Sequence, residues 1–206
     1  GRAAKVFSLN SGFPASTIHR RIYREKAFNG ADGRFNLNQN MYRDMLFMVD
    51  EASMVSLSSG NTTFGSGCLL DDLIEYVYGG TNCRMLLIGD KAQLPPVGED
   101  ESPALRSDVL RSYGLRVYEC DLDEVLRQGQ DSGILWNATM IRRMITHDEA
   151  TQLPRIRLSG FADISVVPGD ELIESLASSF SAVGVDETMV ITRSNKRANI
   201  FNQGIR

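Results

Sequence analysis

Apolar residues recur along this chain in two alternating rhythms. Short β-branched or apolar runs at 45–49, 84–88, 115–120, 163–167 and 188–192 predict strands. Between them, apolar positions at three- and four-residue spacing predict helices: Leu69, Leu70, Leu73, Ile74 and Val77; Ile134, Leu135, Ala138, Ile141 and Ile145; Leu172, Ile173, Leu176, Ala177 and Phe180. Such alternation is the pattern of an α/β domain built on a mainly parallel sheet, because each parallel connection needs a crossover and a helix supplies it.

Three stretches break the rhythm. Residues 56–67, rich in Ser, Gly, Thr and Asn, predict a mobile surface loop ahead of the first of these helices. Between Arg24 and Tyr42, the pairs Asn29-Gly30 and Asp32-Gly33 flanked by Phe28 and Phe35 predict a β-hairpin inserted in the sheet. The Gly- and Gln-rich stretch 128–133 predicts a domain change. The expected organisation is a partial first domain over 1–127, with the hairpin at about 24–42, and the start of a second over 128–206.

Composition narrows the class. With 42% apolar and 23% charged residues the chain has the make-up of an ordinary soluble domain, and no apolar run approaches the roughly 18 residues of a membrane span. The start Gly1-Arg2-Ala3-Ala4-Lys5 lacks the apolar core of a signal peptide, so a cytoplasmic protein without membrane association is expected. Cys68, Cys83 and Cys120 are odd in number and match neither a zinc nor a redox spacing, which predicts idle thiols. The net charge of −4 conceals an uneven layout. Residues 1–26 carry six Lys/Arg against one acid, and 191–206 carry four with none, so both ends are suited to tracking phosphates or to lying as solvated faces.

The candidate chemistry sits at the ends of two strands. The run 45–49 delivers Asp50 and Glu51 at its carboxyl end, where ligands bind in open parallel sheets. In nucleotide hydrolysis the first of two such acids holds the Mg²⁺ that bridges the terminal phosphates, and the second orients or deprotonates the attacking water. A solvated acidic pair is the competing reading. The run 84–88 ends in Gly89-Asp90-Lys91-Ala92-Gln93-Leu94-Pro95-Pro96-Val97. Gly89 permits close backbone approach there, and the paired prolines fix an extended exit. Gln93 donates and accepts without adding charge, which suits it to a phosphoryl oxygen or lytic water, or simply to solvent.

Asp50-Glu51-Ala52-Ser53 followed by Gly89–Val97 resembles motifs II and III of superfamily 1B helicases, the RecD-like and Dda-like enzymes that move 5′ to 3′ on single-stranded DNA. Gly1–Lys5 is similar to the tail of motif Ia, and Ala15-Ser16-Thr17-Ile18-His19-Arg20 to the DNA-contacting element that follows it. Leu122-Asp123-Glu124-Val125-Leu126-Arg127-Gln128 resembles motif IV, and 190–199 the strand-to-helix element after it. The resemblance implies a RecA-like, P-loop NTPase type of fold, here incomplete, with an inserted hairpin and part of a second RecA-like lobe. It implies ATP and Mg²⁺ as cofactors and single-stranded DNA as partner. Asp50 would ligate the metal; Asp50, Glu51, Gln93 and Arg127 would act in catalysis, with Gly89 and Asp90 at the nucleotide. Arg127 would reach the γ-phosphate only when two lobes close. Arg2, Thr17, His19, Arg20 and Phe35 would contact DNA, with Phe28 or Phe35 meeting the last base pair at a fork. A surface arginine and a packing histidine are the competing readings for Arg127 and His19.

One part of that machinery is missing from the sequence. Of the four lysines, Lys5, Lys26, Lys91 and Lys196, none precedes Ser or Thr, so the phosphate-binding G-x-x-x-x-G-K-[ST] does not occur. The resemblance places that loop upstream of Gly1. The expectation is therefore an inactive excerpt of a helicase, the alternative being a non-enzymatic nucleic-acid-binding or interaction module with helicase-like surfaces.

Overall fold

The computed structural model describes residues 2–25, 35–58, 63–122, 132–146 and 153–204. These fall into two compact units, one of residues 2–122 with 144–146 and one of 132–143 with 153–204.

The first unit is organised by a β-α-β element. β3 (Leu46–Val49) pairs in parallel with β4 (Arg84–Leu87), in the register Leu46↔Arg84 to Val49↔Leu87, and α3 (Leu69–Tyr78) connects them. The strand alternation does what its period requires. Val49 is buried and Phe47, Met85 and Leu87 pack against the core, where they meet Leu70, Leu73, Ile74 and Val77 from the apolar face of α3. Leu46 and Met48 point the other way and are about half exposed, at 54% and 53%. A parallel sheet is ordinarily covered on both faces. Among the described residues this one is covered on one.

Before it come α1 (Arg2–Ser11), α2 (Ile18–Ile22), β1 (Tyr23–Glu25) and β2 (Phe35–Leu37). β1 and β2 form an antiparallel pair, Tyr23↔Leu37 to Glu25↔Phe35, as a sheet of their own rather than an insertion hydrogen-bonded into the parallel one. Residues 26–34, with Phe28, lie outside the described residues. The loop expected to be mobile is tied down where it is described. Phe35 N–H donates to Thr63 O (2.8 Å), Gly65 N–H donates to Phe35 O (2.8 Å), and the Asp72 carboxylate accepts Ser66 N–H at 3.1 Å. Gly65 adopts φ +48° and has the Asp72 carboxylate 2.0 Å from where a Cβ would stand, so the turn admits glycine alone. After β4, a 3₁₀ turn (Pro103–Leu105) and α4 (Ser107–Ser112) close over the core, and Tyr113 donates its hydroxyl to Asp71.

In the second unit, α5 (Gly133–Thr146) begins with its amides capped from thirty residues away. Asp163 accepts Ser132 Oγ (2.7 Å), Gly133 N–H (2.8 Å) and Ile134 N–H (3.2 Å), satisfying orphan helix donors. The Ser132 bond first, then the amides, hold the Asp163 carboxyl below its ordinary value. Buried Asn137 bonds both Gly133 O and the backbone of Arg157, whose guanidinium lies 5.4 Å from the Trp136 ring and 5.3 Å from that of Phe161. Two further helices follow, α6 (Leu172–Val183) and α7 (Asn195–Gly204).

Three predicted strands do not form. Residues 115–120, 163–167 and 188–192 have no ladder partner among the described residues, and Tyr118 (86%) and Ile191 (88%) are largely exposed. Among the described residues the parallel sheet is thus two strands wide. All three cysteines are free thiols, Cys68 and Cys83 buried and Cys120 exposed.

Candidate nucleotide-hydrolysis corner and nucleic-acid face

The carboxyl ends of β3 and β4 lie side by side, and each carries one of the motifs. Ile88 N–H donates to Val49 O (2.8 Å), continuing the ladder, and Ala52 N–H donates back to Ile88 O (2.9 Å). The two bonds pin the Asp50-Glu51 turn against the residue just before Gly89. Glu51 turns the chain in the left-handed region, φ 54° and ψ 41°, and a 3₁₀ turn (Ala52–Met54) follows. A non-glycine residue held there costs on the order of 1–3 kcal/mol and persists where its surroundings over-determine it, as the bond at Ala52 does here. Asp50 Oδ1 accepts Glu51 N–H (3.0 Å); both acids are exposed.

Gly89 is required by this closeness. A Cβ there would lie 3.0 Å from the Ser53 backbone nitrogen and 2.9 Å from Leu105 Cδ1. Leu105 can rotate, but the Ser53 backbone is held by its buried turn. Gly89→Ala is therefore expected to push the two strand ends apart, costing about 1–3 kcal/mol by overpacking. Urea denaturation checks this, and an unchanged midpoint would contradict the close approach.

The second motif folds back on itself. Asp90 Oδ1 accepts Ala92 N–H (2.9 Å) and Asp90 O accepts Gln93 N–H (3.1 Å), which presents the exposed Gln93 side chain beyond the strand end. Two contacts that the sequence did not signal brace the turn. Lys91 pairs with Glu119, and the bond to Lys91 draws the Glu119 carboxyl below its ordinary value. Glu99 Oε1 accepts Leu57 N–H and Ser58 N–H, both at 2.9 Å, tying the segment after Pro95-Pro96 to the one after the acidic pair.

Of the remaining site residues, Arg127 lies outside the described residues, and Arg2 opens α1 with its side chain outside them. Thr17 is the N-cap of α2; its hydroxyl oxygen accepts Arg20 N–H at 3.4 Å, leaving the O–H to donate elsewhere. His19 packs its ring 5.6 Å from Tyr23 and edge-on to Phe64 at 5.1 Å, with one side exposed. Phe35 stacks on Phe64 (4.6 Å, 17°). One face of Phe35 is thereby occupied within the fold. Phe64 joins His19 and Phe35 into one cluster, and its only sequence signal was an aromatic inside a Ser/Gly-rich loop. Arg20 stands with Thr17 on the wall of a cleft beside α1.

These features make a mixed α/β fold, with small parallel and antiparallel sheets, compatible with part of a P-loop NTPase-type domain. A family model described as an AAA domain matches residues 1–157 of the 206, and the chain belongs to that family, within the broad P-loop NTPase lineage. No solved structure matches it.

Proposed function

We propose that this chain is part of an ATP-dependent DNA helicase of superfamily 1B, RecD-like or Dda-like, with residues 1–127 from a RecA-like first domain and 128–206 from the start of a second. The observation that carries the reading is the pinned adjacency of Asp50-Glu51 and Gly89–Gln93 at the ends of two parallel strands in a chain of this family. Glu51 then orients or deprotonates water, Gln93 holds that water or a phosphoryl oxygen, and Gly89 and Asp90 line the nucleotide. Arg127 adds positive charge to the γ-phosphate when the lobes close. Thr17, His19 and Arg20, with Arg2, face the DNA strand.

Magnesium fits this corner only as a companion of ATP. Among the described residues no group of three or more His, Cys, Asp or Glu side chains is arranged to hold a metal ion. Asp50 would contribute one carboxylate, and Mg²⁺ is commonly bound by one or two carboxylates plus substrate phosphates and water. The bare apolar face formed by Leu46, Met48 and Leu86 supports further chain in the same direction: a two-stranded parallel sheet needs more strands and a covering helix, which a segment bearing the phosphate-binding loop supplies.

The test is ATP hydrolysis by the complete protein with and without single-stranded DNA. Marked stimulation by DNA is expected, and the present chain alone should show no Mg-ATP binding in the low micromolar range by calorimetry, since the loop that supplies most phosphate affinity is not in it. A complete protein that binds DNA but hydrolyses no ATP would instead be a nucleic-acid-binding module.

A further inference from the structure

The described part of the first unit contains an open cleft of about 810 Å³ between α1, the start of α2 and the strip 38–42. Its size lies in the range of small-ligand sites, about 300–1,000 Å³. Lys5, Arg20 and Arg21 line it, and no carboxylate does. Neither Lys5 nor Arg20 has an ion-pair partner among the described residues. An uncompensated cationic concavity concentrates anions.

Charge alone would describe a phosphate track, but the opposite wall has a different chemistry. Tyr42 is 38% exposed, yet its ring is fixed from two sides: Arg21 Nη1 donates to Tyr42 Oη at 2.8 Å, and Phe47 meets the ring edge-on at 5.9 Å. Beside it stand two amides, Asn38 and Gln39, whose side chains bond nothing among the described residues. Their neighbour Asn40 is the contrast. It is buried, donates to Val77 O (3.1 Å) and accepts Tyr42 N–H (2.9 Å), so it serves the fold. A preset aromatic ring, two unengaged amides and three cations are the complement of a flat, hydrogen-bonding base flanked by phosphates.

We propose that this cleft is a subsite for one unstacked base of single-stranded DNA, with Tyr42 as the stacking platform, Asn38 and Gln39 bonding the base edge, and Lys5 and Arg20 on the flanking phosphates. The proposal rests on the DNA-binding reading above and specifies where, on this chain, a base rather than only the backbone is held. A free nucleotide offers the same base and phosphate chemistry, and what separates the two is the need for phosphates on both sides of the base.

Fluorescence anisotropy of the full chain with three probes decides the matter: an oligodeoxyadenylate, an abasic strand of equal length, and deoxyadenosine monophosphate as competitor. The wild-type chain should prefer the base-bearing strand, and millimolar mononucleotide should displace it poorly. Tyr42→Ala should weaken the base-bearing strand by about tenfold, the scale of one lost base stack, and leave the abasic strand unchanged. Tyr42→Phe should keep most of the affinity. Arg20→Ala should weaken both strands alike and reduce the salt slope by about one. Should Tyr42→Ala fail to fold, Gln39→Ala, at an exposed position, should lower the base-bearing affinity alone. Equal binding of both strands by wild type, unaltered in Tyr42→Ala or Gln39→Ala, overturns the subsite and leaves DNA binding standing. Effective displacement by the mononucleotide overturns it in favour of a free-nucleotide site. Binding of neither strand removes the DNA reading and the subsite together.

Discussion

Glu51→Gln in the complete protein is expected to lower ATP turnover by about 10²–10⁴-fold, the contribution of a general base, with nucleotide binding almost unchanged. Gln is nearly isosteric and keeps one oxygen to orient water, but it cannot take a proton. The left-handed backbone at Glu51, fixed by the Ala52 N–H to Ile88 O bond, sets the direction in which its side chain leaves the strand end. The amide substitution demands nothing new of that backbone, so a loss of turnover reports chemistry rather than unfolding. Steady-state kcat at saturating ATP and single-stranded DNA, with a separate nucleotide titration, is the measurement. A variant retaining more than about a tenth of wild-type turnover would remove Glu51 from the role of base.

The second large effect is on stability. Asp72 is a carboxylate 2% exposed on the inner face of α3, accepting Tyr23 O–H at 2.6 Å and Ser66 N–H at 3.1 Å. Three segments meet at it: β1, the loop carrying Phe64, and the helix itself. Asp72→Ala strips both donors of their acceptor inside the core. Hydrogen bonds to charged groups contribute about 1.5–3 kcal/mol each, and orphaned buried donors add their own cost, so a loss of about 3 kcal/mol is expected. That corresponds to roughly 6–12 °C in Tm for a chain of this length. Asp72→Asn, which keeps an acceptor, should cost clearly less. The same bond has an alkaline signature. Burial first, and the Asp72 carboxylate second, push the Tyr23 phenol above its ordinary value of 10.0. Because the folded value is the higher, this contribution is full below about pH 10 and is lost as pH rises beyond it. Circular dichroism melts of the two variants, with a wild-type series from pH 8 to 11, check both statements. A change below about 1 kcal/mol in Asp72→Ala would mean that the loop is held by other contacts.

The elements that could be read in advance are those whose signal is local. The 3.6-residue spacing from Leu69 to Val77 records a helix burying one stripe, and the same spacing from Ile134 to Ile145 also coincides with a helix, where Ile134 and Ile145 stay exposed. The strands ending at Asp50 and at Gly89 were legible because apolar alternation coincided with a motif. Residues 115–120 and 188–192 show the limit of the same signal. Their apolar runs are comparable, yet a strand exists only through its ladder, and whether a neighbour is there to pair with is not written in six consecutive residues.

The sequence by itself therefore determined the β-α-β core of the first unit, the order of the two motifs and the residue types available for nucleotide chemistry, since these follow from period and spacing. Tertiary structure alone decided that Asp50-Glu51 and Gly89 are pinned together across a parallel ladder, that Phe64 bridges His19 and Phe35, that Asp72 ties α3 to β1 through Tyr23, and that Arg21 presents Tyr42 to a cationic cleft. Each of these is a meeting of residues between about 20 and 50 positions apart in the chain, and such meetings are settled by how whole elements pack, which no local pattern encodes.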